Sequence, residues 1–142
     1  MKVDSILREK GNRVITTRPT ASVKSVADRL RLENIAALVV TEDDAVLGIV
    51  SEREIVRAYS RDGDQIDSRI VKDIMTEIIA CGPDEDLRNV MAMMTRLRAR
   101  HVVVIQGGRL AGIVSIGDVV KHRLSDLELE ANVLRDAYLA AH

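Results

Sequence analysis

The sequence predicts an α/β (α+β) fold: two pseudo-symmetric β-α-β-β-α repeats packed through their sheets, with a helix at each end. Three observations predict it. Gly-Ile-Val-Ser occurs at 48–51 and again at 112–115, and each serine stands three positions before a carboxylate, Glu54 or Asp118. The offset between residues 48 and 112 also maps Pro19 onto Pro83, Val26 onto Val90, Val39 onto Val103 and Val56 onto Val120, with no gap. Within each copy the apolar spacing switches between helical and extended periods. Agreement of this length indicates a duplicated unit. The expected division is an N-terminal helix and lead-in (1–13), a first repeat (14–60), a linker (61–77), a second repeat (78–124) and a C-terminal helix (125–142).

Residues 3–9 carry a helical pattern. Each repeat then opens on a short apolar strand, VITT at 14–17 or IIAC at 78–81, closed by Pro19 or Pro83. A helix follows, because Val23, Val26, Ala27 and Leu30, like Leu87, Val90, Met91 and Met94, recur on one helical face. Two β-branched runs come next, 36–41 with 46–51 and 101–106 with 110–115. Their acidic or glycine-containing separators make them hairpins. Continuous apolar character predicts strands covered on both faces. EREIVRAYS and IGDVVKHRL begin the second helices. The linker contains a helical IVKDIM. Beyond Ser125, Leu127, Val133, Leu134, Tyr138 and Leu139 are placed to cover one side against another subunit.

The composition excludes several functions. The chain has 142 residues, 46% of them apolar, with two Tyr and no Trp or Phe. The core must therefore be aliphatic, and stacking platforms for single-stranded nucleic acid are missing. The formal charge of −1 offers no broad attraction to nucleic acid or anionic lipid. Nucleic acid thus ranks low as a partner. No apolar run approaches the length that spans a bilayer, so no membrane role is expected. The charged N-terminus does not read as a signal peptide. A soluble, cytoplasmic protein is the expectation. Cys81, the single cysteine, excludes an internal disulfide and a cysteine-built metal site. It is expected to be an inert, buried thiol. The three histidines lack metal-ligand spacing, and neither a P-loop nor GxGxxG occurs. The chain is expected not to be an enzyme and to need no metal.

The repeated motif supports two readings. Ser51-x-x-Glu54 and Ser115-x-x-Asp118 are capping boxes at helix starts. The same geometry suits a nucleotide. A helix N-terminus favours phosphate, and a carboxylate one turn in can accept both ribose hydroxyls. The cations tilt the reading towards a ligand. Arg98, Arg100 and His101 precede a strand in copy two, where copy one has no cation at 33–37. Copy one carries Arg53 where copy two has Gly117.

With GIVSERE and GIVSIGD in register, RHVVVI before GGRLAGIVSIGD, and VKDIMT introducing copy two, the chain resembles a stand-alone pair of CBS domains over about residues 3–124. The resemblance implies a regulatory module binding AMP, ADP, ATP or NAD/NADH, with S-adenosylmethionine ranked last, in clefts related by a pseudo-two-fold axis. It implies a homodimer and an effector protein acting in trans, driven by ligand-dependent population shift. Asp118 would hold ribose hydroxyls. Ser115 with Arg100 or His101 would meet phosphate, joined by Arg53 from the neighbouring copy. Thr16 and Ala80 would line adenine. Ser51, Glu54 and Val102 complete the candidate set. Glu54 departs from the family's usual aspartate, so copy two is expected to hold the stronger site. The alternative is a ligand-independent dimerisation or scaffold module.

Overall fold

The computed structural model describes residues 1–11 and 13–142. The order is α1 (Val3–Lys10), β1 (Thr16–Thr17), α2 (Val23–Leu32), β2 (Ala37–Glu42), β3 (Ala45–Ser51), α3 (Glu52–Asp62), a 3₁₀ segment (Gly63–Ser68), α4 (Val71–Ile74), β4 (Ala80–Cys81), α5 (Leu87–Leu97), β5 (His101–Gln106), β6 (Arg109–Ser115) and α6 (Ile116–Ala141). Two three-stranded sheets, β1-β2-β3 and β4-β5-β6, repeat one topology. The first strand of each is parallel to the second, and the second is antiparallel to the third.

The duplication holds to the level of single residues. Thr16 pairs with Val39 and Ala80 with Val103; Ala37 pairs with Ser51 and His101 with Ser115. Ser22 caps α2 by accepting from Ser25 N–H, and Asp86 caps α5 by accepting from Arg88 N–H. Both hairpins turn through two residues of positive φ, Asp43-Asp44 and Gly107-Gly108. That sign matches the right-handed strand twist, and glycine adopts it without steric penalty.

Period-two alternation sorts the strand side chains between three cores. Leu38, Val40 and Val50 face the helices of copy one together with Val23, Val26 and Leu30. Val102, Val104 and Val114 face those of copy two with Leu87, Val90 and Met94. Val39, Ile49 and Val103 lie between the sheets and join the copies. The strands are covered on both faces as the unbroken apolar runs require. Each fully buried Val or Leu contributes about 1.5–3 kcal/mol relative to exposure.

Three elements differ from the sequence reading. The opening strands are two residues long, because only Thr16–Thr17 and Ala80–Cys81 pair with β2 and β5. There is no break at Ser125: α6 runs unbroken from Ile116 to Ala141, since no Gly or Pro interrupts it after Gly117. Part of the expected linker is structural. Val71 N–H donates to Ala21 O and Lys72 N–H to Pro19 O, as Val3 N–H donates to Glu85 O and Asp4 N–H to Pro83 O. Bridges Ser22–Ile70 and Lys2–Asp86 complete the parallel. Thus α1 and α4 are counterparts, and each docks on the other copy's loop.

Candidate ligand-binding clefts

Each third strand runs directly into a helix, so its last serine becomes the helix N-cap. In copy two, Ser115 Oγ accepts from Asp118 N–H at 3.1 Å, and Asp118 Oδ2 accepts from Ser115 N–H at 2.9 Å. In copy one, Glu54 Oε1 accepts from both the N–H (2.8 Å) and the Oγ–H (2.6 Å) of Ser51, which accepts from Arg53 N–H at 3.2 Å. Both capping boxes are formed. The longer glutamate folds back onto its serine, and Glu54 is buried, 7% exposed. Its Oε2 has no partner among the described residues.

A cleft of about 210 Å³ lies between the copies. Ile49, Ser51, Arg53, Glu54 and Arg57 line it from copy one. Ile79 and the stretch Leu97–His101 line it from copy two, with Thr76 and Glu77 at its edge. The carboxylate of one copy therefore faces the cations of the other. Arg53 spans the join, its Nη1 donating to Arg98 O at 3.2 Å. Arg98 caps α5 in the left-handed conformation, φ 53°, and Asn34 has the same φ in copy one. Burial pushes the His101 imidazole below its ordinary pKa, and the nearby Lys10 charge adds to this. At neutral pH His101 is thus a neutral ring. The fixed cations of the cleft are Arg53, Arg57, Arg98 and Arg100.

Asp118 sits differently. Lys10, on α1, places Nζ 2.6 Å from Asp118 Oδ2. Burial alone would raise the Asp118 pKa, but the Lys10 ammonium and the Ser115 N–H outweigh it and hold the carboxyl below its ordinary value. His122 Nδ1 lies 2.9 Å from Asp118 O, and its Nε2 lies 2.7 Å from Glu9 Oε2. Both ring nitrogens lie within hydrogen-bond distance of an oxygen.

The remaining candidates scatter. The Val102 side chain is wholly buried against the copy-two helices and can offer only its backbone. Ala80 is exposed and shares the sheet face of Val103. Thr16 lines a separate, larger groove of about 970 Å³ with Arg18, Arg29 and the acidic turn Glu42–Asp44. There Arg29 is committed to Thr16 O at 2.7 Å, and the acidic turn opposes an anion. That groove is the larger but the less suited to a nucleotide. Cys81 is half-buried, and burial with the neighbouring Glu85 pushes its thiol up to about 11, so it is poorly nucleophilic. Residues the sequence reading missed are Ile49, Ile79 and Arg57 in the cleft between the copies and Lys10 beside Asp118. Among the described residues no His, Cys, Asp and Glu group could hold a metal. No helix among them is long and apolar enough to cross a membrane.

A duplicated α/β unit with a polar cleft at the join defines a paired-repeat module. The CBS domain model matches residues 5–61 and 71–125, and the chain belongs to that family. A crystal structure of a CBS-domain containing protein from Agrobacterium tumefaciens is 41% identical, with TM-score 0.84 over 87% of this chain and 99% of that one. A Pyrobaculum aerophilum CBS domain protein solved in complex with AMP is 27% identical, with TM-score 0.78 over 92% and 99% of the two chains. A mitochondrial CBS domain-containing protein of Arabidopsis thaliana is 40% identical over 94 residues. That match covers 62% of this chain and under half, 46%, of the relative.

Proposed function

We propose that this protein is a regulatory module that binds an adenine nucleotide in the cleft between its two repeats. The observation that carries the reading is the meeting of Glu54 from one repeat with Arg98 and Arg100 from the other. Glu54 Oε2 accepts ribose hydroxyls. The α3 N-terminus and Arg53 and Arg100 receive phosphate, a charge-assisted arrangement. Ile49 and Ile79 provide an apolar wall for adenine. AMP in the Pyrobaculum relative supports this ligand class, with ADP, ATP and NAD/NADH sharing the same adenosine phosphate. A ligand touching both repeats can bias their orientation only through different affinity for the two arrangements.

The module acts in trans as a homodimer. Val120, Leu124, Leu127, Leu134 and Tyr138 recur along α6 at alternating four- and three-residue steps or their sum, and all are exposed in the single chain. That stripe suits a second copy, and sedimentation of wild type against Leu127→Glu/Leu134→Glu tests it. Thermal unfolding with AMP, ADP, ATP, NAD and NADH tests the ligand. At a hundred times its dissociation constant a ligand stabilises by roughly 2.7 kcal/mol. For a chain near this size that is a rise of about 5–10 °C. A rise that disappears in Glu54→Gln is expected. No rise with any nucleotide, together with a stable oligomer, returns the chain to a ligand-independent scaffold.

A further inference from the structure

The surroundings of Glu54 and Asp118 differ because the two lead-ins differ in length. Bridges Lys2–Asp86 and Ser22–Ile70 anchor the two lead-ins at equivalent places. Lys2 stands 14 residues before Thr16, but Ile70 only 10 before Ala80. The first lead-in therefore holds four extra residues, about one helical turn. In α1 the extra turn is helical and ends at Lys10. Its counterpart α4 stops at Ile74, and Thr76 exchanges two backbone hydrogen bonds with Ile49, at 2.9 and 3.0 Å. The chain there borders the Glu54 cleft without capping the carboxylate. The extra turn of α1 instead reaches α6. Lys10 pairs with Asp118 at 2.6 Å, and the adjacent Glu9 pairs with His122 at 2.7 Å and Lys121 at 3.5 Å.

We infer that Lys10 withholds the Asp118 carboxylate from ribose, so each chain takes one nucleotide, in the Glu54 cleft. A carboxylate that grips a ribose must accept from two hydroxyls. Asp118 Oδ2 already accepts from Lys10 and from Ser115 N–H. Asp118 Oδ1 carries no partner among the described residues, but a diol that bridges both oxygens must displace the ammonium from Oδ2, which exchanges a short charge pair for a bond from a neutral donor. On Glu54 Oε1 the standing donors are both neutral, the N–H and Oγ–H of Ser51. The Glu9–His122 and Glu9–Lys121 contacts hold the end of α1 in place against that exchange. Lys10 is a specificity-determining residue in this sense, setting which of two similar carboxylates is available. The inference rests on the nucleotide reading above.

Titration calorimetry of the full chain with AMP, and separately with ATP, tests it. Wild type is expected to bind one nucleotide per chain and Lys10→Met two, with the second lost again in Lys10→Met/Asp118→Asn. Lys10→Gln is a second neutralising variant should the methionine protein fold poorly. Lys10→Arg keeps the charge and is expected to stay at one. A merely structural role for Lys10 would alter stability and leave the stoichiometry at one. Two sites in wild type, or one in both neutral variants, overturns the inference and leaves the nucleotide reading standing. Absence of binding by either nucleotide to every variant overturns the nucleotide reading, and the inference with it.

Discussion

Glu54 and Asp118 occupy the same position in two copies of one motif, yet their surroundings diverge. Glu54 is the more buried, is satisfied on one oxygen by its own serine, and looks across the join at arginines from the other copy. Asp118 is more exposed and is engaged by a lysine 108 residues away in sequence. The lesson is that a repeated motif fixes local geometry but not availability. Availability is set by whatever the rest of the chain lays over the motif. The departure from aspartate in copy one falls in the copy whose carboxylate lines the cleft between the repeats.

The largest expected effect is on affinity. Glu54→Gln removes a charged acceptor worth about 1.5–3 kcal/mol, so AMP should bind roughly 10–100-fold more weakly. Asp118→Asn should change the same titration by less than about 3-fold, because its partner is already Lys10. Equal losses in the two variants would erase the distinction between the two carboxylates.

Next comes stability at the paired glycines. A Cβ at Gly48 would meet Thr76 O at 2.8 Å and Met75 Sδ at 3.0 Å. A Cβ at Gly112 would meet the Leu7 methyl Cδ2 at 2.6 Å. A backbone carbonyl held in a bridge cannot swing aside, whereas a leucine can change rotamer. Urea unfolding should show Gly48→Ala destabilised by about 1–3 kcal/mol, the overpacking range. Gly112→Ala should lose less, under about 1 kcal/mol. The reverse order would mean that α1, not the Thr76 segment, is the more tightly seated lead-in.

The capping serines should be nearly alike. Ser51→Ala and Ser115→Ala should each lose about 1 kcal/mol in the same assay. A much larger loss at Ser51 would show that its hydroxyl bond to Glu54 counts beyond capping.

The smallest effect is the acid response of α1. The Asp118 carboxyl is held below its ordinary value. Its contribution is therefore complete above the unfolded value near 3.8 and is lost as pH falls through the lower folded value. Glu9 is lowered first by its hydrogen bond to His122 and follows the same direction. Melting temperatures of wild type and Asp118→Asn should differ at pH 6 and converge as pH falls through the lowered folded value. A constant difference across that range would locate the effect of Asp118 in its capping bond and not in its charge.

Much of this was legible in the sequence. Periodicity exposed the helices, hairpins and doubly covered strands, because burial repeats with the geometry of the backbone. Ser-x-x-Glu and Ser-x-x-Asp announced both caps, because a capping box closes within four residues. The sequence reading grouped Asp118 with Arg100, His101 and, from the neighbouring copy, Arg53; the cleft between the copies is lined by Glu54 together with Arg53, Arg100 and His101. The unbroken α6 was readable in the absence of a helix breaker after Gly117. The lead-in counterparts left a faint signal, since Val3, Ile6 and Leu7 align with Val71, Ile74 and Met75 at an offset four longer than that of the repeats.

A duplicated α/β unit, its aliphatic core and two capped helix starts, each carrying a carboxylate, are written in the order of the residues. Those features depend on neighbours a few residues apart and on a hydrophobic period. Which carboxylate shares a cleft with the arginines and which meets Lys10 depends on how the copies pack. Sheet-on-sheet packing through Val39, Ile49 and Val103 sets the copies against each other. One additional helical turn then carries an ammonium onto Asp118. Charge pairs between residues so distant in sequence follow from that packing, and no local pattern encodes them.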